Sequence, residues 1–286
     1  MDNKLNNMLN ELFDNAKPKD VKEANKLLEE FLKKYNAGEI KYEDTPLDKA
    51  YELLEKANNA KTKKQALKLA KQAYETSDEC FDAIIFQSDL EENSLLRDKV
   101  LEDGLTNERK RLEKEDIFKA DNIGHFYGIF ETRPYIRGLC IKAHNLAQDG
   151  KMKQSIEVCK EILRLNKNDN GGVRYLLAAL YAYIEDEEEL KKLYKKYTEN
   201  NLEMLFPFFS LYYKQGADKK AKEYLNKINE ANRHFLEFFK GTLEGFDPGE
   251  YYSRGDESEL MMYIRDYTFL LMSMPNLRDF ILEYSK

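Results

Sequence analysis

The sequence predicts an all-α chain assembled from stacked helical hairpins. Three observations predict it. Only 13 glycines, 6 prolines and no tryptophan occur in 286 residues, so helix breakers are scarce. Apolar residues return at helical spacing through most of the chain. Small residues sit where paired helices must approach closely. Charged residues make up 35% and apolar ones 42%, enough polarity for a soluble surface and enough apolar content for a core. The 46 basic and 53 acidic residues leave a net charge of −7. That balance argues against a dedicated nucleic-acid binder. The most apolar run, Met204 to Tyr213, is too short to span a bilayer. The first residues, Met1 to Asn7, carry no apolar signal region. The three cysteines, Cys80, Cys140 and Cys159, are odd in number and widely spaced, as free thiols in a reducing compartment would be. A soluble, cytoplasmic protein with no membrane contact is expected.

The elements follow in order. Leu5, Met8, Leu9 and Leu12 mark a first amphipathic helix that Pro18 ends. Val21, Ala24, Leu27, Leu28, Phe31 and Leu32 mark a second, stopped by Gly38. Residues 1–45 form an N-terminal helical cap. Two hairpins, 46–79 and 80–118, come next; Gly104 interrupts the last helix and leaves its register open. Residues 119–135 form an irregular joint with two glycines, Pro134 and a cluster of aromatics. Three more hairpins cover 136–169, 170–201 and 202–245, giving a hairpin region of 46–245. The tail, 246–286, opens on the turns Asp247-Pro248-Gly249 and Ser253-Arg254-Gly255-Asp256. It is expected to hold helices at Glu259–Met274 and Asn276–Tyr284 that cap the open end of the stack.

The hairpins share a register. The tetratricopeptide repeat is a helical hairpin of about 34 residues. Its small or aromatic positions 4, 8, 11, 20, 24 and 27 are met by Leu139, Ala143, Leu146, Ser155, Cys159 and Ile162, with Gly150 at the turn. Val173, Leu177 and Leu180 continue it, and the turn at Glu185-Asp186 is followed one residue late by Leu190, Leu193, Tyr194 and Tyr197. Leu205, Phe209, Tyr212, Gly216, Ala221, Leu225 and Ile228 form a further match. Ala50, Leu54, Ala57, Ala66, Ala70 and Ala73 form an earlier one. The fold class expected is therefore a right-handed α-solenoid of tetratricopeptide-like helical hairpins with N- and C-terminal capping helices.

Three strings carry a resemblance to a known family. The run from His125 to Arg137, His-Phe-Tyr-Gly-Ile-Phe-Glu-Thr-Arg-Pro-Tyr-Ile-Arg, resembles that family's "HFWG…ETRPYMR" segment. The run from Leu163 to Leu177 resembles "LRLNPNDNQGVRYLL", with Lys167 where that pattern has Pro. The run from Tyr251 to Glu257 is similar to a late family segment. The family is that of bacterial tetratricopeptide-repeat proteins similar to the suppressor of tumorigenicity seven proteins of animals. The resemblance implies a helical solenoid with no established enzymatic activity, and it supplies no ligand.

In such a stack, repeat positions 2, 5, 9 and 12 of each first helix face a concave groove. They are Arg137, Cys140, His144 and Ala147, then Arg174, Ala178 and Tyr181, then Phe206, Ser210 and Tyr213. The expected groove is cationic at one end and aromatic at the other. Guanidinium groups grip carboxylates and rings give apolar area at little ordering cost, so an acidic peptide or protein partner is expected. Arg137, His144, Arg174, Tyr181, Phe206 and Tyr213 are the candidate contacts. The alternative is that both arginines pair with local carboxylates and the rings pack internally.

A second function class, hydrolase or transferase, would use His125, Glu131 and Arg133 in the joint; the competing reading is a structural joint. A third is a self-assembly module. No Walker, Rossmann, serine-nucleophile, EF-hand or HExxH pattern occurs. No cofactor or metal is expected, and a non-catalytic scaffold is the leading expectation.

Overall fold

The computed structural model describes residues 8–9, 12–13, 15–40, 43–249 and 251–284. Leu5, expected in the first helix, lies outside them. Among the described residues every regular element is helical; two isolated bridges join Gly124 and His125 to Asn166. The chain divides into two compact units, Met1–Glu108 and Arg109–Lys286. No described helix is long and apolar enough to cross a membrane.

In the first unit, α1 (Val21–Asn36) begins at the N-cap Asp20, whose side chain accepts from the Glu23 amide. Of its expected apolar face, Phe31 is buried, while Val21 and Leu32 are exposed. The helices α2 (Pro46–Asn58) and α3 (Lys63–Thr76) pack against each other. A reciprocal capping box starts α2: Thr45 Oγ1 accepts from the Asp48 amide at 3.1 Å, and Asp48 Oδ2 accepts from the Thr45 amide at 2.9 Å. The small register residues Ala50, Ala57, Ala66, Ala70 and Ala73 are all buried, so the two backbones approach closely. After them come α4 (Asp82–Asp89) and α5 (Ser94–Lys114). Gly104 does not interrupt α5. A Cβ there would lie 2.4 Å from Ile84 Cγ2 and 3.1 Å from Phe81 Cε2, so the glycine marks close packing against the α4 region.

The second unit begins within the last turns of α5, and the joint that follows forms three single 3-10 turns: Ala120–Asn122, Phe126–Gly128 and Phe130–Thr132. Phe118 packs edge-on against Phe126 and Tyr135. Thr132 Oγ1 donates to the carbonyls of Phe126 and Ile129. Reciprocal backbone bonds, Gly124 N to Leu165 O and Lys167 N to Gly124 O, both 3.0 Å, pin the joint to the end of the next hairpin.

Then follow α6 (Arg133–Gln148), α7 (Met152–Leu165), α8 (Val173–Tyr183), α9 (Glu187–Lys196), α10 (Leu202–Lys214) and α11 (Asp218–Ala231). They pack as the pairs α6/α7, α8/α9 and α10/α11, with α8 also touching α7 and α10. Ser155 Oγ donates to Ala143 O across α6/α7 at 2.7 Å, a contact that a larger residue at either site would prevent. The three hairpin turns close identically. Gly150, Glu185 and Gly216 take φ of 77°, 62° and 66°. The amide after each bonds back five residues: Lys151 to Leu146, Asp186 to Tyr181, Ala217 to Tyr212. Glu185 thus holds the left-handed conformation that glycine adopts without strain.

The tail differs from expectation. A short helix, α12 (His234–Lys240), precedes it. The single helix expected at Glu259–Met274 is two, α13 (Glu257–Asp266) and α14 (Thr268–Met272), and α15 (Leu277–Tyr284) ends the segment. Instead of standing only at the end of the hairpin series, α13 packs on α10 and α14 on α8. Buried Asn232 fastens the start of α13 by donating to Asp256 O and Glu259 Oε2, both at 2.9 Å.

Candidate functional site

The Asn168–Gly172 loop is built around Asp169. Its side chain is fully buried and accepts from the Val173 and Arg174 amides at 2.9 Å each, satisfying the orphan donors that open α8. Arg174 then engages each nitrogen of its guanidinium. Nη1 donates to Asp169 Oδ2 at 2.8 Å and to Asp169 O at 3.1 Å; Nε donates to Glu199 Oε1 at 2.9 Å; Nη2 reaches Tyr175 Oη at 2.6 Å and Glu199 Oε1 at 2.9 Å. Tyr175 Oη in turn donates to Glu199 Oε2 at 2.6 Å, and Asn201 Nδ2 donates to both. Asn201 also caps α10 through the Met204 amide. This network fixes the start of α8, the 197–201 turn and the start of α10 as one frame. Burial pushes the Asp169 carboxyl up, against the pull of Arg174.

Against that frame lies a cleft of ≈ 680 Å³. Its walls are the Asn168–Gly172 loop, the start of α8, Tyr197 to Glu203, and the tail residues Tyr252, Arg254, Met262, Tyr263, Asp266 and Tyr267; His144 of α6 lies at one side. Five tyrosines line it, with four carboxyl groups and two arginines, so its chemistry is aromatic and acidic. Tyr263 and Tyr267 stack with ring centroids 4.6 Å apart, and burial holds both phenols well above their usual range. Burial likewise raises the Glu203 carboxyl. Burial lowers the His144 pKa, opposed by Asp266, so the imidazole is biased to its neutral form. A second cleft, in the first unit, is lined by Glu52, Glu55, Lys56, Asn59, Lys61 and Gln65, side chains of the polar α2/α3 surface.

The expected contact residues divide. Arg174 and His144 line the cleft; Arg137, exposed on α6, does not. The expectation that Arg174 grips an acidic group is corrected, because its donors are already engaged by Asp169, Glu199 and Tyr175. The expected aromatic end of the groove is corrected too. Phe206 is fully buried beneath Phe235 at 5.6 Å and Tyr263 at 5.2 Å. Tyr181 is buried as well. Tyr213 packs edge-on against Phe280 at 5.1 Å and donates its hydroxyl to Pro275 O. Both contact the chain's own tail, Phe206 fully buried and Tyr213 partly exposed.

In the joint, His125 and Glu131 are exposed. Arg133 donates to Tyr127 O at 2.9 Å and stacks over Tyr127 and Phe130, 4.9 and 3.9 Å from the ring centroids. These contacts fix the joint, and none of the three residues lines the cleft. Among the described residues no cluster of three metal-ligating groups occurs. The cysteines are free; burial pushes the thiols of Cys80, Cys140 and Cys159 up to about 12, which suits small packing residues.

Helical register gave Tyr197 as a packing position and did not mark Glu199, Glu203, Tyr252 or Asp266, because the cleft joins a loop, a turn and the tail, which no helical period connects. A signal existed nonetheless. Two of the strings that carry the family resemblance, Leu163–Leu177 and Tyr251–Glu257, both supply walls of this cleft. None of the protein-family models compared with the chain matches it, and no curated protein is significantly similar to it.

Proposed function

We propose that the protein is a non-catalytic interaction module, a scaffold of tetratricopeptide-like hairpins that binds a peptide segment of a partner protein. The stacked hairpins form a right-handed solenoid, and the cleft of the second unit is the binding site. The reading rests on one observation: a rigid hydrogen-bonded frame and the returning tail together wall an open cleft rich in tyrosine. Tyrosines give large contact area with few rotatable bonds, and polar groups at fixed positions orient a ligand. The buried register residues and the three identical hairpin turns support the stacking. A cytoplasmic location is part of the proposal.

The test is selection of 12-residue peptides from a random displayed library on the full chain, followed by affinity measurement on wild type and Asn170→Trp. Asn170 is exposed and lines the cleft, so the indole fills the site without disturbing the core. The expected result is binding that falls at least about tenfold in the variant, with unchanged helicity, since most of the contact area would be lost. Peptides that bind both proteins equally would refute the cleft assignment.

A further inference from the structure

The cleft contains a carboxylate with one oxygen left over. Glu203 is 7% exposed and lines the cleft from the first turn of α10. Its Oε1 accepts from Tyr252 Oη at 3.1 Å. Its Oε2 is buried and has no hydrogen-bond partner. The hydroxyl of Tyr263, 2% exposed and lining the same cleft, has none either. Buried polar atoms are nearly always paired, so each of these two atoms, on residues lining one cleft, calls for a partner. The other carboxylates there are balanced. Asp169 and Glu199 share Arg174, and Asp266 pairs with Arg265 at 2.8 Å. Arg254 acts on Glu203 only through its charge, without an ion-pair contact, and lies 3.7 Å from Glu199. The rings of Tyr252, Tyr263 and Tyr267 line the same cleft, and tyrosine faces attract cations.

We infer that this corner of the cleft takes a primary ammonium group, carried on a peptide as a lysine side chain or a free amino terminus. The inference rests on the peptide-binding function proposed above and deepens it. An ammonium has three donors and no acceptor. One hydrogen goes to Glu203 Oε2 and a second to the Tyr263 hydroxyl oxygen, while the tyrosine faces stabilise the charge. A guanidinium fits worse, because bidentate pairing needs both carboxylate oxygens and Tyr252 already occupies Oε1. A trimethylated ammonium has no N–H to give. The expected occupant is thus basic, the opposite of the acidic partner that the arginine positions alone suggest.

The experiment uses the full chain labelled with methyl-13C methionine, in which Met262 reports on the cleft. Blocked pentapeptides carry one central lysine, arginine, trimethyllysine or norleucine; a fifth peptide has a free amino terminus and no lysine. The lysine peptide is expected to shift the Met262 signal, and the norleucine peptide to bind at least about tenfold more weakly, as loss of a charge-assisted hydrogen bond requires. Arginine and trimethyllysine should fall between them. Binding of the free-amino peptide identifies a chain terminus as an equal source of the group. Glu203→Gln should abolish the preference for lysine over norleucine. Tyr263→Phe, which keeps the ring and the packing, should weaken lysine binding severalfold even if the first variant folds poorly. Equal affinity for lysine and norleucine would overturn the ammonium inference while leaving the peptide cleft intact. No Met262 shift with any peptide would overturn both.

Discussion

Replacing Arg174 by Met tests whether the frame around the cleft is structural. The guanidinium is 14% exposed and joins Asp169, whose side chain is fully buried, to Glu199, which is 26% exposed. Breaking one partner of a buried ion pair costs about 3–5 kcal/mol, because the remaining charge stays desolvated. Here the lower end applies. Asp169 keeps two backbone amides, and Glu199 keeps Tyr175 and Asn201. The expected loss is about 3 kcal/mol, equivalent to roughly 6–12 °C in the melting temperature of a unit this size. Urea denaturation followed by circular dichroism measures it, with hydrogen exchange over residues 173–214 as the local readout. The double variant Asp169→Asn, Arg174→Met should cost clearly less than the sum of the singles, since they remove one shared interaction. A single-variant cost below about 1 kcal/mol, or strict additivity, would refute the reasoning. Charge reversal at Arg174 should cost more than the methionine, because it sets a third acid beside Asp169 and Glu199.

Three further outcomes are expected. The folded-state pKa of His144 lies below its ordinary 6.5, so below that value the unfolded chain binds more protons; stability therefore falls as pH drops through 6.5. His144→Gln should flatten that part of the profile in denaturant midpoints measured from pH 7 downward, and an unchanged slope would contradict it. Gly104→Ala should destabilise the first unit by about 1–3 kcal/mol through overpacking against Ile84 and Phe81, read as a lowered melting midpoint; a neutral or stabilising effect would show that the helix does not approach so closely. Glu185→Gly should raise stability by up to about 1 kcal/mol, because it relieves a left-handed conformation and gives up only the 3.4 Å pair of Glu185 with Lys214, whose carboxylate end is 46% exposed. A loss of stability would contradict the turn assignment.

The helix pairs α2/α3, α6/α7, α8/α9 and α10/α11 were legible in the sequence because each is a local event. Ala66, Ala70 and Ala73 announce a close helix contact by size and spacing alone, and Gly150 and Gly216 announce turns by conformation. The turn at Glu185-Asp186 was read from register as well, but its left-handed backbone at a non-glycine residue leaves no mark in composition. The cleft was only half legible. Arg174 and His144 were found by register, but register does not reveal partners in loops, turns or the tail. Asp169 to Arg174 is a loop contact, and Phe206 to Tyr263 spans residues that no helical period connects. Register gives the direction in which a side chain points. It does not tell whether solvent or the chain's own tail meets it there, and for Phe206 and Tyr213 the tail does.

The central claim is that a peptide occupies the cleft between the Asn168–Gly172 loop and the returning tail. Amide hydrogen exchange of the full chain, with and without a selected peptide, measures this directly. Slowed exchange in residues 168–175, 197–203 and 251–267 together, with helices α7 and α9 unchanged, is the predicted result. Protection confined to α7, α9 or the first unit, with the cleft segments unaltered, would contradict it.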